Sequence, residues 1–150
     1  MSFQPQDPAF ESRVRASFAR QTFMATLGAR LAVVEPGKVI LALPFRADLT
    51  QQHGFLHAGV TASLADSACG YAALSLMPAG AGVLSVEFKV NLLAPAAGDE
   101  FRALGVVVRA GRTLTVCSGE VRAVTGEEER VVALMQATMM ALHDRGGLTD

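Results

Sequence analysis

The chain has 150 residues, 51% hydrophobic and 18% charged, with 13 basic against 14 acidic side chains and a net charge of -1. That is one domain's worth of chain with ample apolar material for a core, and it excludes collagen-like, coiled-coil, disulfide-scaffold and disordered classes. The near-zero charge provides no electrostatic footprint for nucleic acid or an anionic membrane. Cys69 and Cys117 each sit in an apolar segment without CxxC or Cys/His spacing, so neither a metal site nor a disulfide framework is expected and a reducing cytoplasm fits best. Met1-Ser2-Phe3-Gln4-Pro5 lacks a basic region followed by an apolar one, and no run of 18 residues has membrane-like bulk. The expectation is a soluble, untargeted, cytoplasmic protein with no nucleic-acid or membrane partner.

Residues 1–8, with Pro5 and Pro8, form an entry segment. Phe10, Val14, Phe18 and Leu27 then recur at helical intervals, predicting a helix over about 9–26 with a break inside it, closed by Gly28. Leu31–Val34 and Val39–Phe45 flank Pro36-Gly37 and predict a hairpin. A polar loop, 46–54, leads to a second helix over 58–76, rich in the small residues Ala58, Gly59, Ala62, Ala65, Ala68, Gly70 and Ala72. A helix this thin admits other backbone closely from several sides. Pro78, Gly80 and Gly82 end it. Leu84, Val86, Phe88, Val90 and Leu92 alternate with Ser85, Glu87, Lys89 and Asn91, predicting a strand with the two sets on opposite faces. Three more strands follow, over about 99–109, 112–125 and 128–142. Without strand-helix-strand alternation there is no parallel sheet to build, so the fold class is α+β: an antiparallel sheet wrapped around one apolar helix.

The segment from Gln51 to Asp66 carries the chemistry. Asp66 lies mid-helix among small and apolar neighbours, and no Lys or Arg occurs between Arg46 and Lys89. Helix interiors disfavour Asp, and a buried carboxylate is costly unless hydrogen-bonded. One reading is an exposed Asp, or one satisfied by Ser63 or Ser67; the other is a carboxylate held as base or nucleophile in an apolar cleft. His57 precedes the helix, as a capping or packing residue or as part of a site. The backbone N–H groups of Ala58 and Gly59 fall in the first turn, where an anion or a developing oxyanion is stabilised.

Gly54-Phe55-Leu56-His57-Ala58-Gly59, the Asp nine positions after His57, and the run Ser85-Val86-Glu87-Phe88-Lys89-Val90-Asn91-Leu92-Leu93-Ala94-Pro95 together resemble the hotdog-fold acyl-CoA thioesterases of the PaaI-like, phenylacetate-pathway type. The resemblance covers about residues 30–142 and implies a hotdog domain over 29–143, preceded by an N-terminal extension, 1–28, and followed by a tail, 144–150. It implies Asp66 as the carboxylate that activates water or attacks the thioester carbonyl, with the Ala58 N–H polarising that carbonyl beside His57 and Gly59. Ala58 stands where the family usually has Gly. Gln51 stands where it often has an Asn that orients the water or the thioester. Ser85 matches a strand hydroxyl that in some members positions water, or is an ordinary strand Ser. Lys89, Asn91, Arg109 and Arg112 are either coenzyme contacts, meeting CoA phosphates, or solvated surface residues.

The expected activity is hydrolysis of a small aromatic or medium-chain acyl-CoA to free acid and CoA, with no cofactor beyond the substrate and no metal. The alternatives are a hotdog enoyl-thioester hydratase or dehydratase, which leaves the thioester intact, and a non-catalytic acyl-CoA binder. At about 1.5 Å per residue, Asp66 lies roughly 13 Å along the axis from its own helix N-terminus. One carboxylate and one N–H donor so far apart cannot serve the same carbonyl. A homodimer with antiparallel helices and two shared sites, assembling further into a tetramer, is therefore expected.

Overall fold

The computed structural model describes residues 3–143 and 146–150, so Met1 and Ser2 of the entry segment and Asp144 and Arg145 of the expected tail lie outside the described residues. The first apolar stripe forms two helices, α1 over Phe10–Arg20 and α2 over Thr22–Leu27. Gln21 supplies the break: its backbone is extended, at φ -79° and ψ 91°, so the helix cannot run through it. Val14, Met24 and Leu27 are buried, which brings both helices into the core. Gly28 ends α2 in the left-handed region, at φ 82°, where its N–H donates to the Met24 and Ala25 carbonyls.

Strands β1, Arg30–Glu35, and β2, Lys38–Pro44, form the hairpin turned at Pro36-Gly37. The long helix α3, Ala58–Leu74, precedes β3, Gly82–Leu92, β4, Glu100–Ala110, β5, Leu114–Thr125, and β6, Glu128–Leu142. All six strands join one antiparallel sheet in the order β1-β2-β4-β5-β6-β3. Helix α3 packs against β2 to β6. This is the hotdog architecture.

The small residues of α3 are what let it settle there. Ala65, Ala68, Cys69, Ala72 and Ala73 are buried against the sheet. On β4, Gly105 meets the helix backbone so closely that a Cβ would lie 2.3 Å from the Ala68 carbonyl carbon. Any side chain at 105 would push the helix off the sheet. The other end of α3 is held by Arg13 of α1, whose guanidinium donates to the carbonyls of Leu74, at 3.2 Å, and of Met77 and Pro78, both at 2.7 Å. A cation there meets the negative end of the helix dipole. Asp7 pairs with Arg13 at 3.1 Å.

Among the described residues no helix is long and apolar enough to cross a membrane, and no three His, Cys, Asp or Glu side chains converge as a metal site.

Candidate active site

The polar loop is pinned before α3 begins. His57 N–H donates to the Leu49 carbonyl at 2.9 Å and Leu56 N–H to the Ala96 carbonyl at 3.0 Å. Gln51 turns the loop on itself: its N–H donates to the Phe55 carbonyl, and its side-chain oxygen accepts from the His53 N–H. His57 is the N-cap of α3, and its Nδ1 accepts from the Gly59 N–H at 2.8 Å. That bond engages Gly59 and leaves the exposed N–H of Ala58 without a protein acceptor among the described residues. Ala58 and Gln51 line one cavity of about 490 Å³, walled by Phe55, Leu92, Leu93, Pro95 and Val132. Of the two N–H groups marked out by the sequence, Ala58 is therefore the one available to an oxyanion.

Asp66 lies farther along the same helix, half-buried in a smaller cavity of about 110 Å³. Neither Ser63 nor Ser67 satisfies it. Ser63 donates back to the Gly59 carbonyl, at 2.7 Å, and Ser67 to the Gln21 side-chain oxygen, at 3.3 Å. The partner is Ser85 on β3, whose hydroxyl donates to Asp66 Oδ1 at 2.7 Å.

Strict alternation along β3 would have turned Ser85 to the same face as Glu87. The strand instead carries a β-bulge at Val86: Ser85 pairs with buried Met139, while Glu87 pairs with Thr138. The extra residue reverses the alternation, so Ser85 shares the helix-facing side with Phe88, Val90 and Leu92 while Leu84 falls with Glu87. Bulges re-aim side chains in this way. The buried Cys69 thiol is no competitor for the chemistry: its neighbour Cys117, and then its burial, push it up and away from the thiolate form.

Residues 53–129 match the family model described as the Thioesterase superfamily. The chain belongs to that superfamily. A thioesterase family protein from Silicibacter pomeroyi superposes with a TM-score of 0.87 at 56% identity, covering 89% of this chain and 98% of that one. Human acyl-coenzyme A thioesterase 13 is 31% identical over 107 residues, 70% of this chain and 76% of its own. The PaaI protein of the E. coli phenylacetic acid degradation operon superposes with a TM-score of 0.82 at 22% identity, over 92% of this chain and 96% of that one, and shares the fold. The protein is a thioester hydrolase.

Within one chain the thioesterase brings Gln51, His57, Ala58 and Gly59 together at the start of α3, and Asp66 with Ser85 midway along it. It does not bring these two groups to one point. The coenzyme candidates are also dispersed. Lys89 Nζ donates to Asn91 Oδ1 at 2.9 Å, and both residues pair with the exposed Gln136 and Leu134, on the sheet face away from α3. Arg109 lies on β4, three strand spacings of about 4.8 Å away, with Arg112 in the turn beyond. Phe55 and Leu56 line the cavity at Ala58 and Tyr71 the cavity at Asp66, while Leu84 and Phe88 line neither.

The Asp66 cavity also holds two residues that sequence reasoning passed over, Gln21 and Asp150. Gln21 had a local signal. It occupies the N-cap of α2 with a side chain that makes no capping bond, and so is free to reach Ser67. Asp150 had none, because its partners, Ser17 and Val83, are far away in sequence.

Proposed function

We propose that this thioesterase hydrolyses acyl-CoA to the free acid and CoA, at sites each shared by two chains. The observation that carries the reading is the separation along α3 of an available oxyanion donor, the Ala58 N–H, from a carboxylate positioned by a serine, Asp66 with Ser85. In this reading the substrate carbonyl oxygen accepts from the Ala58 N–H of one chain while Asp66 of the other stands beside the carbonyl carbon. Asp66 either takes a proton from water, which adds to the carbon, or attacks the carbon itself and is freed by water afterwards. In both routes the negative charge collects on the carbonyl oxygen, the carbon–sulfur bond breaks, and the CoA thiolate leaves and is protonated. Gln51, beside Ala58, orients the thioester or the water through its amide.

The edge strand supports a two-chain site. Among the described residues no further strand lies beyond β3, and Val86, Phe88 and Leu92 of that strand are exposed together with Leu93 just after it. An apolar unpaired edge is a template for a second copy. A two-fold axis there sets two α3 helices antiparallel and brings Asp66 of one toward Ala58 of the other, as a dimer that assembles further into a tetramer.

Asp66→Asn keeps the shape and the acceptor for Ser85 while removing the charge and the basic lone pair. Thiol release from acyl-CoA, followed with a disulfide reagent, should then show kcat reduced by roughly two orders of magnitude or more, as for loss of a general base. A folded variant that keeps more than half of the wild-type rate contradicts the assignment.

A further inference from the structure

The cavity beside Asp66 is closed on its far side by a segment remote in sequence. Residues 146–150 return along the start of β3, and Asp150 lines the cavity with Gln21, Ser67, Tyr71 and Val83. The Asp150 carboxylate is held from two directions: the Ser17 hydroxyl donates to Oδ1 at 2.6 Å and the Val83 N–H to Oδ2 at 2.8 Å. Arg20 stands 4.0 Å from Oδ1. Gly82 makes the path possible, since a Cβ there would lie 2.3 Å from the Leu148 carbonyl oxygen.

Beyond Asp150 runs a second groove of about 240 Å³, bordered by Arg20, Gly82, Leu142 and Leu148. The groove and the Asp66 cavity share two lining residues, Val83 and Asp150. Val83 is fixed in the β3–β6 pairing opposite Ala141. The Asp150 side chain is therefore the removable part of the partition.

A thioester has two arms to place. The pantetheine arm is long and must reach solvent, which the 490 Å³ cavity at Ala58 allows, so the space at Asp66 is left for the acyl group. The cavity there is about 110 Å³. A cavity known to take benzene is larger, at about 150 Å³. Resting on the reading that Asp66 acts on the thioester, we propose that Asp150 is a specificity-determining residue: it ends the acyl pocket, so short-chain acyl-CoAs are preferred over medium-chain and aromatic ones.

The test measures kcat/KM for thiol release from butyryl-, octanoyl- and phenylacetyl-CoA with the full-length protein. Wild type should prefer butyryl-CoA. Asp150→Ala joins the cavity to the groove and should raise the octanoyl-to-butyryl ratio about tenfold, chiefly through a lower KM for octanoyl-CoA. Gly82→Val displaces the segment from the opposite side and gives the same readout should Asp150→Ala not fold. Asp150→Asn retains an acceptor for Val83 and a partner for Ser17, and should keep the wild-type ratio. A wild type that prefers octanoyl- or phenylacetyl-CoA, a shift under threefold in the opening variants, or an Asp150→Asn shift as large as that of Asp150→Ala overturns the proposal. If Asp66→Asn is inactive at the same time, the catalytic reading survives that failure. An active Asp66→Asn, or no thiol release by wild type from any of the three, overturns both.

Discussion

Asp66 and Ser85 are 19 positions apart and meet at 2.7 Å, a contact that depends on the single extra residue at Val86. The Ser85 hydroxyl is the polar partner of a half-buried carboxylate, and because Ser85 is exposed on the edge strand the bond adds little to stability, about 0.5 kcal/mol. Ser85→Ala should lower kcat about tenfold, with KM within about threefold and little change in melting temperature; a kcat equal to wild type removes Ser85 from the mechanism. The residues proposed for this site were legible in the sequence as types at a spacing: Asp66 among small neighbours without a local cation, and His57 ahead of a helix. Their contacts were less so. An unbroken polar-apolar alternation along 84–92 gives no sign of a bulge, because the inserted residue, Val86, is itself apolar, and so the face Ser85 takes could not be read.

Helix α3 is held at its two ends by different means. His57 caps the start, and this was within reach of sequence reasoning because the capping residue and the capped N–H are two positions apart. The far end depends on Arg13, more than 60 positions away, which fills three carbonyls beyond or within the last turn. No local pattern marks Arg13 as different from Arg15, which faces solvent and pairs with Glu11. Burial holds the Arg13 guanidinium below its ordinary value, with Asp7 acting in the opposite direction. Arg13→Met preserves much of the packing volume but takes the cation from Asp7 and the donor from the Met77 carbonyl, while the Leu74 and Pro78 carbonyls keep the N–H groups of Met77 and Ala81; breaking a buried pair in this way costs about 3–5 kcal/mol. At about 2–4 °C per kcal/mol for a domain near this size, the melting temperature should fall by roughly 10 °C in a thermal melt. A fall of less than about 2 °C would show that the helix end is held without the guanidinium.

At the scale of the whole molecule, the element order left an antiparallel sheet around one helix as the economical arrangement. Helix spacing, the turns at Gly28 and Pro36-Gly37, and the long alternating strands made the architecture readable. The strand order was not readable, since β3 crosses to the edge beside β6 rather than pairing with its chain neighbour β4. That crossing matters for function, because it places the Ser85 strand at the open edge where a second chain can approach.

The two-chain site is the central claim, and complementation tests it most directly. Asp66→Asn removes the carboxylate. Ala58→Pro removes the N–H donor at the first position of a helix, where proline is sterically acceptable. His57 already has the extended backbone, ψ 138°, that a following proline requires. Each homodimer should be inactive. Co-expressed with different tags and isolated as the heterodimer, the two variants should give one doubly damaged site and one fully native site, with close to half of wild-type thiol release. A heterodimer as inactive as either parent contradicts the account, and Asp66 would then have to work with donors from its own chain.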